Sequence, residues 1–291
     1  MPDILPLTGA MTWSTATVPA LEAAAQAAAA ASAAGVVVQP VESAEACWRA
    51  ADLLREVWRS AQFPVAGNVL RMVAHTGGYV AAAYDEVRGD LLAVSLGFLA
   101  TDGLHSHITG VLPSGQGRGL GYALKLHQRS WCLDRGISTV TWTSDPLVRR
   151  NDRFNLHSLG AVATGYLVDF YGPMDDEVNC RDESDRLSWR WDLRGPRASE
   201  AAERRLPPAQ ASGLPHAVAV DARGRPVLSP VQHPRVLVSL PEDVEALRRD
   251  DPESARSWRL AVRAAVQPLL AAGGRVVGLT EAGELVLETA A

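Results

Sequence analysis

The chain has few cysteines, no excess of basic residues and no long apolar segment. Three of its 291 residues are cysteines, and none forms a CxxC pair. This sparse, odd number predicts reduced thiols and a cytoplasmic location, because disulfide-dependent secreted folds carry more cysteines in even numbers. The net charge is −5, which argues against a general nucleic-acid binder, whose affinity comes from basic residues that contact phosphates.

Membrane binding and secretion are also disfavoured. No uncharged run of about 18 apolar residues predicts a membrane span. The first residues, MPDILPLTGAMTW, contain an acidic residue and no basic one, unlike a secretory signal. With 47% hydrophobic and 21% charged residues, the composition is that of a globular protein.

The patterns divide the chain into four parts. Residues 1–34 hold an alanine-rich stretch whose side chains are too small to anchor a core, and we interpret them as an N-terminal extension. Residues 35–193 predict strands and helices in the order β, α, α, β, β, β, α, β, α, β, β. A polar, proline-rich linker is predicted over 194–234, and a smaller α/β unit over 235–291.

The C-terminal unit is small for independent stability. Its longer predicted helix carries Trp258, Val262, Ala265 and Leu269 on one face. That apolar face needs a partner surface. The two candidates are the sheet of residues 35–193 and a second subunit, which would make a homodimer.

A glycine-rich turn stands where a helix is predicted to begin. Gly117, Gly119 and Gly121 fall within five residues, although each glycine costs a helix about 1 kcal/mol relative to alanine. The unpaired amides of a helix N-terminus attract anions, and glycines would let a phosphate approach without meeting Cβ atoms. The P-loop and dinucleotide patterns both fail here. The pattern (Gln/Arg)-x-x-Gly-x-(Gly/Ala) fits from Gln116 to Gly121.

The helix after this turn is predicted to be amphipathic. Its apolar face would contain Leu120, Ala123, Leu124, His127 and Trp131. Outside that face would lie Lys125, Gln128, Arg129 and Asp134.

The turn and its surroundings resemble the GNAT superfamily of acyl-CoA-dependent N-acyltransferases. The strand before the turn ends in Val111-Leu112-Pro113, and Gln116 follows the proline by three residues, as in that family. The next strand is followed by Asn151 and a short helix that ends in Leu159-Gly160. The resemblance covers roughly 35–193. It implies an α+β (α/β) GNAT-like fold, with a central mixed, mostly antiparallel sheet flanked by helices and here a small C-terminal α/β extension.

The resemblance implies a site for coenzyme A. The CoA pyrophosphate would lie on backbone amides of the turn, and the strand edge around Val111 would pair with the pantetheine arm and polarise the thioester carbonyl. The residues implied for these roles are Val111, Gln116, Gly117, Arg118, Gly119, Gly121 and Tyr122, with Asn151 or Asn155 as a hydrogen-bond partner of the pantetheine.

The resemblance also implies the reaction. An acyl group, acetyl by default and succinyl as an alternative, would pass from acyl-CoA to a primary amine of a small molecule such as an amino acid. Acyl-CoA would be the co-substrate, and no metal is expected.

The family's general acid has no clear counterpart in this chain. Its usual tyrosine falls on Leu156, so His157, Tyr166, Tyr171 or water are the candidates for protonating the leaving thiolate. This departure supports a second interpretation, in which the chain is a catalytically impaired CoA-binding regulatory or structural module.

Two histidines are candidate bases, because an amine with a pKa near 10 must lose a proton before it attacks. His105 and His107 are two residues apart on the strand before the turn, which predicts that they point to the same face. Exposed strand histidines without a role, or an HxH metal pair, are the alternatives, but no nearby cysteine or carboxylate completes a metal set. Asp145 is a second base candidate, an amine anchor or a turn carboxylate.

Three arginines, Arg149, Arg150 and Arg153, cluster beside Asn151. They could hold the CoA 3′-phosphate, an acidic acyl group or an acceptor carboxylate, or form a solvated charged face. Cys132 is interpreted as a packing residue, since direct acyl transfer needs no nucleophile.

Overall fold

The fold is built on one mixed β-sheet. The computed structural model describes residues 18–174, 176–180 and 182–290, and the first half of the predicted N-terminal extension lies outside these ranges. The strands run in the spatial order β1-β2-β3-β4-β5-β7-β6-β11-β12-β10-β8-β9. They are β1 (Val36–Pro40), β2 (Tyr79–Asp85), β3 (Leu91–Ala100), β4 (Gly103–Val111), β5 (Thr139–Ser144), β6 (Val162–Leu167), β7 (Arg186–Asp192), β8 (His216–Val220), β9 (Pro226–Leu228), β10 (Arg235–Val238), β11 (Arg275–Leu279) and β12 (Leu285–Glu288).

Helices flank this sheet. They are α1 (Val18–Ala33), α2 (Ala44–Trp58), α3 (Gly67–His75), α4 (Leu120–Asp134), α5 (Arg149–Arg153), α6 (Pro196–Ala202), α7 (Val244–Asp250) and α8 (Pro252–Ala271). Only the β4–β5 and β8–β10 pairings are parallel among the described strands. The predicted fold class, a mixed and mostly antiparallel sheet flanked by helices, is therefore confirmed. No helix of the described residues is long and apolar enough to cross a bilayer.

Local signals account for most element boundaries. Ser43 caps α2 by accepting a hydrogen bond from the amide of Ala46. Asp251 caps α8 in the same way, and Pro252 occupies the first helical position, where its missing N–H costs nothing. The meander β2–β3–β4 forms as predicted, and α2 and α3 cover one face of it with a second apolar core.

The C-terminal residues extend the same sheet. Strand β11 pairs with β6 at Val276 and Ala163, and α8 packs over β6. Trp258 and Val262 of α8 are buried in the main core, so the first of the two predicted partner surfaces receives this helix. The predicted linker holds α6, β8 and β9, which sequence analysis missed because these elements are short. The division of the chain into separate units stays a prediction.

Helix α1 departs from the expectation that its alanines cannot contribute to a core. Ala20, Ala23 and Ala27 are buried where α1 packs along α4. Small side chains let two helix axes approach closely, which brings many atoms into van der Waals contact. The Gln26 side chain also accepts a hydrogen bond from Arg129 at 2.6 Å.

The predicted polar face of α4 is a second correction. Lys125, Gln128 and Arg129 are buried rather than exposed. Helix α4 lies between the sheet and α1, so polar positions outside its apolar stripe are covered as well. Arg129 donates to the carbonyl of Leu193, and the surroundings of Lys125 are described below.

Candidate active site

An opening separates β4 from β5. The two strands pair at only two positions, Leu104 with Val140 and His105 with Thr141. Beyond these pairs β4 continues along β3 as far as Val111, and β5 continues along β7 as far as Ser144. The facing edges of β4 and β5 therefore carry backbone groups that the sheet does not pair, and they can receive an extended ligand as a strand would.

A β-bulge shapes β4 at the closed end of this opening. Leu96 pairs with Ile108 but Gly97 pairs with Ser106, so His107 is the extra residue. A bulge breaks the alternation of side chains along a strand. Ser106 points towards α4, while the ring of His107 lies against Phe98 on the other face, with 5.4 Å between ring centroids. The break in alternation follows His107, because Ile108 packs on that same face against the second apolar core.

The glycine turn lies at the open end. Pro113–Gly115 form a single 3₁₀ turn, and Gly117 and Gly119 then adopt φ of 77° and 87°, which glycine tolerates far better than other residues. No side chain caps the 15-residue helix α4, whose N-cap is Gly119. A Cβ at Gly117, Gly119 or Gly121 would meet no atom within 4 Å. The first amides of a long helix thus face open space, which suits a phosphate group.

The other implied CoA residues take distinct positions. Arg118 donates to Asp85 at 3.1 Å and to the carbonyl of Ala34 at 3.0 Å, so its side chain fastens the turn and leaves its amide for a ligand. Gln116 is exposed, and the Tyr122 hydroxyl donates to the carbonyl of Ala202.

The amides of β4 can be assigned to its two edges. The Leu112 amide donates to the Leu92 carbonyl of β3 at 2.9 Å. Because successive amides point to opposite edges of a strand, those of Val111 and Thr109 face the opening.

The helical turn after β5 carries buried polar groups. Asn155 is buried and its Nδ2 has no hydrogen-bond partner among the described residues. Asp152 is fully buried, and in the described part of the chain neither of its oxygens has a partner. Burial, with a smaller effect of the Asp145 charge, raises the pKa of Asp152 well above its ordinary value. Leu156 is buried in the core, and Asn151 is half-buried.

Both candidate bases lie on the face turned away from α4. Val140 and Trp142 belong to the main core, so Thr141 between them points to the other face, where its hydroxyl lies 3.2 Å from Nδ1 of His105. Burial lowers the pKa of His105, helped by the charge of Lys125, and burial and His105 together lower that of His107. The two imidazoles are therefore neutral at pH 7 and able to accept a proton.

A polar row continues across the sheet from these histidines. The Thr143 hydroxyl is 3.1 Å from that of Tyr171, and the guanidinium carbon of Arg186 is 5.2 Å from the Tyr171 ring centroid. Arg186 is buried and only partly paired. It donates to the Asp185 carbonyl, and Asp145 lies 3.9 Å away. Sequence analysis missed Arg186 because nothing in the strand RLSWRWDL distinguishes a first residue that lies beside Tyr171 and Asp145.

The chain resembles N-acetyltransferases in its fold. Among solved structures, the ribosomal-protein-S18-alanine N-acetyltransferase of Escherichia coli is 16% identical with a TM-score of 0.45, over 54% of this chain and 94% of that one. The diaminobutyrate acetyltransferase of Paenibacillus lautus, solved with its substrate and coenzyme A, is 16% identical with a TM-score of 0.44, over 55% and 96%. Naa20 of Chaetomium thermophilum, in complex with a bisubstrate analogue, gives 16% and 0.44 over 58% and 90%.

Comparison of the sequence with known families and curated proteins gives no match. The structural similarities are too distant to assign a substrate or an activity.

Asp145 is not a free base. It is buried, and it accepts hydrogen bonds from Arg248 and Arg259. Burial opposes ionisation of Asp145, but the charges of Arg259 and Arg248 outweigh it and lower the pKa to about 2. This carboxylate therefore serves as the anion of a buried ion pair.

The remaining candidates for the general acid differ in their hydrogen-bond partners and exposure. His157 lies in the π-helical turn Phe154–Ser158, and its Nε2 is 3.0 Å from the carbonyl of Leu279 in β11. Tyr166 donates its hydroxyl proton to Asp185 at 2.6 Å, and burial and that carboxylate raise its pKa. Tyr171 is exposed.

The arginine cluster beside Asn151 turns towards the C-terminal residues. Arg149 donates to the Leu240 carbonyl, Arg150 pairs with Glu245, and Arg153 is exposed. The glycine turn is thus not the contact of Arg149 or Arg150. Cys132 is buried, and burial raises its pKa to about 12, so its thiol is neutral. In the described ranges, no three His, Cys, Asp or Glu side chains converge as metal ligands would.

Proposed function

We propose that the chain is an acyl-CoA-dependent N-acyltransferase that acylates a primary amine of a small molecule. The β4–β5 opening, which ends at the open glycine turn, carries this proposal. A pantetheine arm would lie along the edge of β4, and its pyrophosphate would meet the amides of Arg118, Gly119, Gly121 and Tyr122. The unpartnered amide of Asn155 would bond the arm from the side of the helical turn.

The chemistry needs a polarised thioester and a neutral amine. An amide of Val111 or Thr109 would donate to the thioester carbonyl. His107, with His105 beside it, would accept the proton of the acceptor ammonium. The amine nitrogen then forms a bond to the acyl carbon as the carbon–sulfur bond breaks, and the thiolate takes up a proton.

The polar row that runs from His107 to Arg186 favours an acceptor amine that also carries a carboxylate, such as an amino acid. Arg186 is a partly paired guanidinium at one end of the polar row, and His107 is at the other. A guanidinium binds a carboxylate through two parallel N–H groups. Arg186→Lys should therefore raise KM for an amino acid and leave KM for its decarboxylated amine unchanged. Equal changes for both amines would exclude this role.

A CoA-binding variant tests the site itself. Gly121→Val places a branched side chain where the phosphates would lie and should abolish CoA binding in calorimetry, because its helical position has open space and ordinary φ. Gly119 is a poorer position, because its φ of 87° would strain any valine. Ser130→Val on the same helix is the matched control. A folded Gly121→Val protein that binds CoA as tightly as wild type would overturn the site.

The base role has its own measurement. His107→Ala should lower kcat more at about pH 7 than at about pH 9, because more of the acceptor amine is neutral at the higher pH. His105→Ala serves as the comparison. Unchanged pH–rate profiles for both variants would remove the histidines from the role of base.

The second candidate function is a CoA-binding module without turnover. The buried Leu156 in place of the family's tyrosine favours it. Acyl-CoA and a panel of amines distinguish the two, because the enzyme releases free CoA thiol in proportion to amine, whereas the module binds CoA tightly and releases none.

A further inference from the structure

One buried cluster at the closed end of the β4–β5 opening has hydrogen-bond donors and no anion. Lys125 donates from Nζ to the Ser106 hydroxyl at 2.7 Å and to Oε1 of Gln128 at 3.1 Å, and Nζ lies 4.4 Å from the Trp142 ring centroid. All of these residues are buried. No Asp or Glu of the described chain pairs with Lys125, unlike the usual case of a buried lysine.

The cluster has a further unused donor. Nε2 of Gln128 is buried and bonds to no atom of the described residues. The ammonium, the free amide of Gln128 and the hydroxyl of Ser106 are therefore three donor groups around one point. Leaving such groups unpaired is costly, and a carboxylate would satisfy all of them.

The position of the cluster tells which ligand atom would reach it. Ser106 and Trp142 are the first residues of β4 and β5 after the last β4–β5 pair. A pantetheine arm whose pyrophosphate lies on the glycine turn enters from the other end, and its thioester would lie at the amide of Val111 or Thr109. The acyl group would then point towards Ser106, about 10 Å further along the strand from Thr109.

Lysine is rare in this chain. Lys125 is the only lysine among the 28 Lys and Arg residues, and the other 27 are arginines.

We propose that Lys125, Ser106 and Gln128 form the floor of the acyl pocket and select an acyl group that ends in a carboxylate, such as the four-carbon succinyl group. This inference rests on the proposed function and names its donor class. A neutral acetyl group would leave the donors unpaired.

The charge of Lys125 makes the selection dependent on pH. Burial lowers the pKa of Lys125 to about 7. Cys132 on the same helix is neutral in this range, because burial raises its pKa to about 12. His105 of β4 is a further titratable group that senses its charge. A bound carboxylate stabilises the ammonium, so it should raise the pKa of Lys125.

The first experiment compares acyl donors of equal length. Wild-type protein should use succinyl-CoA with kcat/KM about 10- to 100-fold above butyryl-CoA near pH 6, the range expected for a charged hydrogen bond. Lys125→Met should abolish that preference while CoA itself binds as before. Gln128→Leu, which keeps the lysine, should reduce the preference in part.

The second experiment observes the lysine directly. Because the chain has one lysine, ¹³C-lysine labelling gives a single Cε signal, whose titration reports Lys125. Succinyl-CoA should raise its pKa, and butyryl-CoA should not.

The outcomes separate this inference from the proposed function. Turnover of acetyl-CoA or butyryl-CoA as efficient as that of succinyl-CoA, with no shift of the lysine signal, would overturn the carboxylate pocket and leave the acyltransferase standing. A wild-type protein that neither binds CoA nor releases it from any acyl-CoA would overturn both.

Discussion

Two buried clusters of polar residues contain cations, but only one of them also contains anions. Around Asp145, the guanidinium groups of Arg248 and Arg259 are shared with Asp182, and every one of these contacts joins a cation to an anion. Around Lys125, the ammonium contacts a hydroxyl, an amide oxygen and an aromatic ring. One cluster is complete in the folded chain, and the other is not.

The two clusters therefore have different effects on the fold. The paired cluster connects the segment between β6 and β7 to α7 and α8, because Arg248 also donates to the Val178 carbonyl and Arg263 pairs with Asp185. It fixes the C-terminal helices against the segment between β6 and β7. The unpaired cluster costs stability, because burial disfavours the charged form of Lys125.

Removal of the C-terminal residues should have the largest effect. A chain ending after Arg194 loses α7 and α8, so Asp145 loses Arg248 and Arg259, Asp185 loses Arg263, and the apolar surface of β6 becomes exposed. We expect aggregation or a large loss of solubility on expression, measured by size-exclusion chromatography. A soluble, monomeric product with unchanged kinetics towards its amine would show that these residues are an independent appendage.

Asp145→Asn should be the most destabilising single change. It leaves Arg248 and Arg259 buried with one partner fewer, which should cost about 3–5 kcal/mol in urea unfolding. The pKa of Asp145 is lowered to about 2, so its contribution is present above its ordinary value of 3.8 and is lost as the pH falls towards 2. The wild-type advantage should shrink accordingly in acid. Asp134→Asn, at an exposed pair, is the control.

Lys125→Met should stabilise the protein, by an amount that depends on pH. The pKa of Lys125 is about 7 when folded and 10.5 ordinarily, so the unfolded chain binds the proton more tightly. The cost of burying the charge is complete below about pH 7 and declines as the pH rises towards 10.5. Denaturant unfolding should show the methionine variant more stable by a few kcal/mol near pH 6 and by less near pH 9. A difference that does not vary with pH would mean that the buried ammonium is not its cause.

Glu177→Gln should have the smallest effect. Its partner Arg59 lies 3.4 Å away, and both side chains are about two-thirds exposed, at 71% and 67%. Water and salt screen such a pair, so the free energy of unfolding should change by less than about 1 kcal/mol. A loss comparable to that of Asp145→Asn would contradict the distinction between buried and exposed pairs drawn here.

The glycine turn could be predicted from the sequence because the residues that define it are close together in the chain. Gly117 and Gly119 need positive φ, Val111 to Pro113 end a strand, and all lie within ten residues of one another. The roles predicted for His105, His107, His157 and the CoA-contacting residues stay predictions. The predicted shared face of His105 and His107 is confirmed.

The buried polar clusters could not be predicted from the sequence, because they depend on segments that are far apart in the chain. The partners of Asp145 are 103 and 114 residues away along the chain, and periodicity reports nothing about such distances. Lys125 was expected outside the apolar face of α4, because a helical pattern identifies one packed face and cannot show that α1 covers the other.

The sequence by itself determined the order of strands and helices up to residue 193, the glycine turn and the candidate bases, because each depends on neighbouring residues and on the geometry of a single strand or helix. The tertiary structure decided where β4 and β5 part, which carboxylate meets which arginine, and that the only lysine ends at that opening without an anion. Those features depend on contacts between distant segments, and only packing brings such segments together.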